Sequence, residues 1–220
     1  MMDLLGKTAI FLGDSITEGA GTSSEENRYY NILKSRYGLK EVIGYGVGGT
    51  RIAKQIVPSK EERYDLYFSK RADDMQEYAD IVVVFGGTND YGHGDAPLGK
   101  FGDKTPDTFY GACYELFNKL IEKYIGSVIV VATPLHRVNE MNLRGEGTKE
   151  NDVAVLSAYV DIIKEVARYF SLPVCDLYSI SGLQPNVPLV KEKYIPDGLH
   201  PNDAGNAIIA ERLGEFLKGI

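Results

Sequence analysis

A serine, a histidine, an asparagine and several glycines stand at the ends of apolar runs in this chain, and acyl transfer needs that set of residues. Four short segments carry them: Gly13-Asp14-Ser15-Ile16-Thr17-Glu18-Gly19, Gly44-Tyr45-Gly46-Val47-Gly48-Gly49-Thr50, Gly86-Gly87-Thr88-Asn89-Asp90 and Asp197-Gly198-Leu199-His200-Pro201-Asn202. A serine hydroxyl is a poor nucleophile at neutral pH until an adjacent base takes its proton. Imidazole, with an ordinary pKa of about 6.5, suits that task. Ser15 is therefore the candidate nucleophile and His200 the candidate base. A carboxylate best holds such a base in one tautomer, and Asp197 lies three residues earlier on a turn running into a helix. A tetrahedral intermediate also needs donors for its oxyanion. The candidates are the backbone N–H of Ser15, the N–H of Gly49 and the side-chain amide of Asn89, with Gly48 as the alternative to Gly49. An absent side chain at position 49 would let a substrate approach the backbone closely.

Other polar residues near these segments read as structural. Asp14 is expected to hydrogen-bond the loops and Asp90 to brace its turn. Ser15 alone could be an ordinary helix N-cap. His93 and His136 lie in irregular stretches, with no Cys or carboxylate cluster at metal-ligand spacing, and are expected to be exposed polar residues, with lining the cleft as the alternative. Of the 15 tyrosines, most should be half-buried packing; Tyr45, Tyr91 and Tyr194 are candidates for stacking on a substrate. Cys113 and Cys175 each sit in an apolar stretch and read as buried, reduced thiols.

The elements that must position these groups follow from the apolar pattern. Runs at Thr8 to Leu12, Glu41 to Ile43, Ile81 to Phe85 and Ser127 to Ala132, with a weaker one at Leu172 to Cys175, read as strands. Two of them do not alternate polar with apolar, the mark of strands covered on both faces. Between them lie helix-period segments. Phe109, Cys113, Leu116, Phe117, Leu120, Ile121 and Tyr124 repeat at three and four residues, with Thr105 as expected N-cap and Pro106 in the first turn. Val153, Leu156, Val160, Ile163, Ala167 and Phe170 form another. Ile209, Leu213, Phe216 and Leu217 form the last, capped by Asn202 or Asp203. Strands alternating with helices imply a doubly wound α/β sheet of about five parallel strands. Three stretches break that rhythm, roughly 91–105, 134–149 and 177–196. Loops after strand C-termini build the ligand crevice in such sheets, so substrate specificity is expected there.

At 220 residues, 44% hydrophobic and 25% charged, the chain suits one domain over 1–220 with a core large enough to need no staples. A net charge of −7 with no basic block excludes backbone-driven nucleic-acid binding. No apolar stretch reaches the ~18 residues of a membrane span, and the start lacks a signal-peptide pattern. The chain reads as cytoplasmic.

The four segments resemble, in order, the four blocks that define the SGNH hydrolase superfamily, also called GDSL esterases and lipases. Gly13-Asp14-Ser15 is similar to the nucleophile block, with Ile16 where the family name has leucine. Gly49 matches the oxyanion glycine, Gly87-Thr88-Asn89-Asp90 the block giving the oxyanion asparagine, and Asp197-Gly198-Leu199-His200 the Asp-x-x-His block. One departure is at the second block, where many members carry an Asn shortly before the glycine and this chain has Gly44 and Tyr45. The resemblance runs from Gly13 to His200 and implies a flavodoxin-like three-layer α/β/α sandwich. It implies a serine esterase with no cofactor and no metal, acting on a small-molecule ester, with a short acyl group such as acetyl on a carbohydrate or other small molecule as the leading expectation. A lysophospholipase or thioesterase of the same family is the alternative. A rival of another class is dinucleotide binding, since Gly44-x-Gly46-x-x-Gly49 matches G-x-G-x-x-G. Its context fails: Pro58 cuts the following helix short, and no strand ending in an acidic residue appears about 20 residues on.

Overall fold

The apolar runs become the strands of one sheet in the computed structural model, which describes residues 2–220. β1 (Thr8–Gly13), β2 (Glu41–Gly46), β3 (Ile81–Phe85), β4 (Val128–Ala132) and β5 (Val174–Cys175) lie parallel in the order β2-β1-β3-β4-β5. Around them run α1 (Ser15–Glu18), α2 (Tyr29–Tyr37), α3 (Phe68–Ala72), α4 (Thr88–Gly92), α5 (Phe109–Lys123), α6 (Leu156–Tyr169), α7 (Leu177–Ile180), α8 (Pro188–Tyr194) and α9 (Asp203–Gly219). The architecture is a three-layer α/β/α sandwich.

The two-residue period of a strand explains why the core is double. Ile10, Leu12, Val82 and Val84 point to one face and pack under α3, α5 and α6. Ala9, Phe11, Ile81 and Val83 point to the other and pack under α2 and α9. β1 and β3 are accordingly buried along their whole length, whereas β2 at the sheet edge is half-buried.

Several boundaries differ from the sequence expectation. β2 runs on to Gly46 instead of ending at Ile43, because its glycines accommodate neighbours that pack against the strand; a Cβ on Gly46 would stand 2.1 Å from the Glu18 nitrogen. Thr108, not Thr105, caps α5, its hydroxyl accepting from the Gly111 N–H at 3.1 Å. Val153 precedes α6, which starts at Leu156. Asn202 caps α9, accepting from the Gly205 N–H. Both cysteines are free and buried. No helix among the described residues is long and apolar enough to cross a membrane.

Candidate active site

The site assembles at the C-terminal edge of the sheet. β1 ends at Gly13 and the chain turns directly into α1. Asp14, not Ser15, caps that helix: its Oδ1 accepts from the Ile16 N–H at 3.0 Å. Asp14 is 2% exposed. Burial pushes its carboxyl up to about 6, against the Ile16 N–H and the nearby Arg71 charge, which pull the other way. Ser15 is thereby the first residue of α1. Its N–H has no partner among the described residues, as expected for one of the free donors at a helix start.

Ser15 Oγ lies 3.0 Å from His200 Nε2, although 185 residues separate them in the chain. On the far side of the ring, His200 Nδ1 lies 2.7 Å from Asp197 Oδ2. The other oxygen, Asp197 Oδ1, accepts from the Leu199 N–H at 2.8 Å and the His200 N–H at 2.7 Å. Burial would raise the Asp197 carboxyl, but these two N–H groups and the imidazole outweigh it and hold the group below its ordinary value. A carboxylate that accepts at Nδ1 fixes the tautomer with Nε2 free to accept. Asn206, fully buried in α9, ties the loop down: its amide donates to the Pro201 carbonyl at 2.8 Å, and its oxygen accepts from the Tyr29 N–H of α2.

The rest of the rim comes from α4, which follows β3 on the same side as Ser15, and from the turn after β2 opposite. Asn89 is 4% exposed and donates one amide N–H to the Thr50 carbonyl at 2.9 Å. Gly49 has φ +77°, a left-handed conformation that glycine adopts without strain, and its missing side chain leaves room for the Tyr64 ring. The Gly48 N–H donates to Glu18 Oε2 at 2.8 Å, while the Gly49 N–H has no partner among the described residues. Asp90 is buried, and its carboxylate accepts from the Ile52 and Ala53 N–H groups at 3.0 and 2.8 Å. Burial raises its carboxyl, opposed by those two donors and by Arg51 and Lys149.

Arg71 locks the two walls together. It donates to the carbonyls of Tyr45 at 2.7 Å, Gly13 at 2.9 Å and Leu66 at 3.0 Å, and to Thr50 Oγ1 at 2.9 Å. Burial lowers its guanidinium to about 10, with the Asp14 and Glu18 charges opposing. No sequence motif marks Arg71, because its partners lie up to 58 residues away.

A cavity of about 530 Å³ opens over Ser15, Gly49, Asn89 and His200. Of the three stretches expected to line it, 91–105 contributes His93 and 134–149 contributes Glu146, but 177–196 contributes nothing. The missing wall is instead 50–64, through Arg51, Ser59, Arg63 and Tyr64. None of the three tyrosines singled out lines the cavity. Tyr45 packs on the core, and its hydroxyl accepts from the Gln76 N–H. Tyr91 is fully buried and donates to the carbonyls of Asn139 and Asn142. Tyr194 packs beside α9. His136 is paired with Glu140 at 2.8 Å, away from the cavity. Gly44 and Gly46 lie within β2, and the first helical turn after Gly49 is the short 3-10 stretch Glu62–Asp65, so the dinucleotide geometry is not formed. Among the described residues no group of three or more His, Cys, Asp or Glu could hold a metal ion.

The GDSL-like Lipase/Acylhydrolase family model matches residues 11–208. A solved crystal structure is 31% identical, covering 100% of this chain and 99% of its own, with a TM-score of 0.83. A protein from Lactobacillus plantarum is 28% identical over 98% of each chain, also at 0.83. A possible lipase from Chitinophaga pinensis DSM 2588 is 23% identical over 97% of this chain and 98% of its own, with a TM-score of 0.69. No curated protein matches the chain.

Proposed function

The chain belongs to the GDSL-like lipase/acylhydrolase family, and from that premise we propose that it is a single-domain serine esterase that hydrolyses a carboxylic ester through an acyl-enzyme. The observation that carries this reading is the continuous line from Ser15 Oγ through the His200 ring to Asp197, at 3.0 and 2.7 Å. Neutral His200 takes the Ser15 proton at Nε2 as Oγ attacks the ester carbonyl. Asp197 stabilises the imidazolium, which then returns the proton to the leaving alkoxide. Water, deprotonated by the same nitrogen, attacks the acyl-enzyme and releases the acid and the free hydroxyl.

The oxyanion falls between the Ser15 N–H, the Gly49 N–H and the Asn89 amide. Glu18 supports Gly49 over Gly48, since it already occupies the Gly48 N–H. Beyond these donors the cavity meets the ionisable side chains of Arg51, Arg63, His93 and Glu146, and only Ala20, Tyr64 and Leu199 as larger apolar surface. A long acyl chain gains about 0.8 kcal/mol per buried methylene only against apolar walls. The lining therefore favours a short acyl group, such as acetyl on a carbohydrate or other small molecule, over a lysophospholipid or fatty thioester.

An aryl acetate tests the class, and esters of increasing acyl length test the acyl preference. Ser15→Ala is expected to lower kcat/KM by ~10⁴-fold or more with unchanged melting. A fluorophosphonate should label the wild-type protein at Ser15. Near-wild-type turnover by folded Ser15→Ala, or an adduct on another serine, removes Ser15 as nucleophile.

A further inference from the structure

His93 has a role to play that the hydrolytic steps leave unused. It lies on the wall shared by the catalytic cavity and a second cavity of about 540 Å³, together with Arg51 and Ser59. Arg51 Nη1 lies 3.1 Å from His93 Nδ1. A guanidinium has donors only, so Nδ1 must accept and the proton of the neutral ring sits on Nε2. Burial keeps that ring neutral, and the opposing charge of Glu146 is countered by Arg51, Arg137 and Lys149. Nε2 has no partner among the described residues and is not among the sealed unpartnered atoms. It is a fixed N–H donor open to the cavities.

The second cavity is lined further by Gln55, Asp95, Thr148, Lys149, Glu150 and Asn151. Its formal charges balance, Arg51 and Lys149 against Asp95 and Glu150. Three of these are already engaged, Arg51 on the His93 ring and on the Tyr64 carbonyl at 2.6 Å. The Asp95 carboxylate accepts from the Ile56 and Val57 N–H groups at 2.8 and 2.7 Å. Lys149 Nζ donates to the Asp90 carbonyl at 2.8 Å and the Tyr159 hydroxyl at 2.9 Å. What remains without a partner among the described residues is the His93 Nε2–H, the hydroxyls of Ser59 and Thr148, the Asn151 amide and the exposed Glu150 carboxylate. A hydroxyl group both accepts and donates, and so can accept from His93 Nε2–H while donating to a neighbouring acceptor of this lining. Cavities of this size hold small organic ligands.

We propose that the second cavity is the subsite for the alcohol portion of the ester, that this portion is uncharged and hydroxyl-bearing, and that His93 is a specificity-determining residue that donates Nε2–H to one of its oxygens. This rests on the esterase reading: with a short acyl group, the alcohol portion is what extends past Asn89. Arg51 acts through His93 as a positioning residue.

The test compares kcat/KM for a monoacetylated methyl glycoside and for phenyl acetate, which lacks hydroxyls. His93→Phe is expected to lower the glycoside-to-phenyl ratio by about ten-fold, the scale of one lost hydrogen bond. His93→Gln keeps an N–H donor and should recover most of the ratio. Thr148→Trp, placed at the exposed rim, fills the second cavity without touching His93 and should lower the same ratio. A ratio within two-fold of wild type in both His93→Phe and Thr148→Trp overturns the subsite while leaving the esterase standing. Wild-type protein that turns over neither ester overturns both.

Discussion

The cleft has two walls that are built differently. Ser15 and Asn89 hang from the ends of β1 and β3, two strands buried along their whole length. From Val47 to Leu66 the other wall has no strand and only a single 3-10 turn, Glu62–Asp65. It is held in place by side chains: Asp90 on the Ile52 and Ala53 N–H groups, Asp95 on Ile56 and Val57, and Arg51 on the Tyr64 carbonyl. Close packing fixes the first wall, and a few charge-assisted hydrogen bonds fix the second. On the proposed mechanism the nucleophile Ser15 and the Asn89 amide sit on the packed wall, and one oxyanion donor, the Gly49 N–H, comes from the loop wall. Arg51, Ser59, Arg63 and Tyr64, which line the cavity from the loop wall, sit where one substitution can reshape them.

The sharpest way to break this contrast is at Asn89. On the proposed mechanism its amide meets an oxyanion that carries full charge only in the transition state. Asn89→Ala is expected to lower kcat by roughly 10²–10³-fold while KM barely moves. Steady-state kinetics with melts alongside decide it. A folded variant with kcat within a few-fold of wild type would make Asn89 a structural turn residue.

A second measurement sharpens the account of the packed wall. The Asp14 carboxyl is raised from 3.8 to about 6 in the fold. The native state therefore binds the proton more tightly than the unfolded chain, so this group's contribution is fully present below about pH 4 and is lost as pH rises through about 6. At 1.36 kcal/mol per pKa unit the loss is of order 2–3 kcal/mol. Asp14→Asn cannot ionise and retains an oxygen for the Ile16 N–H. Its stability relative to wild type should rise by that amount between pH 4 and pH 7.5 in urea unfolding. A difference that stays flat with pH would show that Asp14 ionises without penalty.

The smallest effect belongs to the second wall. Arg63 Nη2 lies 3.3 Å from Glu18 Oε1, with both side chains about half exposed, at 50% and 45%. Such pairs contribute little. Arg63→Ala should shift the melting temperature by about 2 °C or less and change KM by a few-fold. A loss of kcat approaching that of Asn89→Ala would mean that Arg63 positions the chemistry as well.

The same contrast explains what could be read from the sequence. The order of strands and helices follows from local periodicity, and apolar runs such as Ile81 to Phe85 announce burial on both faces without any knowledge of their partners. Ser15, Asn89, Asp197 and His200 stand at the ends of such runs, and the structure gathers them at one sheet edge. The wall from 50 to 64 was not legible because it has no periodicity, and its partners Asp90 and Asp95 lie 37 to 39 residues away. Thr105 and Thr108 are equally good caps by type, and the one that caps is Thr108, whose hydroxyl also donates to Asp103 Oδ2 at 3.0 Å. Tyr45, Tyr91 and Tyr64 are likewise indistinguishable by type, yet only Tyr64 lines the cavity.

Arg71 bears on how the site comes into being. Its four acceptors come from the end of β1, the end of β2, the turn after it and the segment before α3, at separations of 5 to 58 residues. Desolvating a guanidinium is tolerable only when its donors find partners. A chain in which any of those segments has not docked must keep Arg71 in water, and the seat between the two turns stays empty. The turn that carries Ser15 and the turn that carries Gly49 are therefore coupled through one side chain, since displacing either strips Arg71 of acceptors it needs while buried.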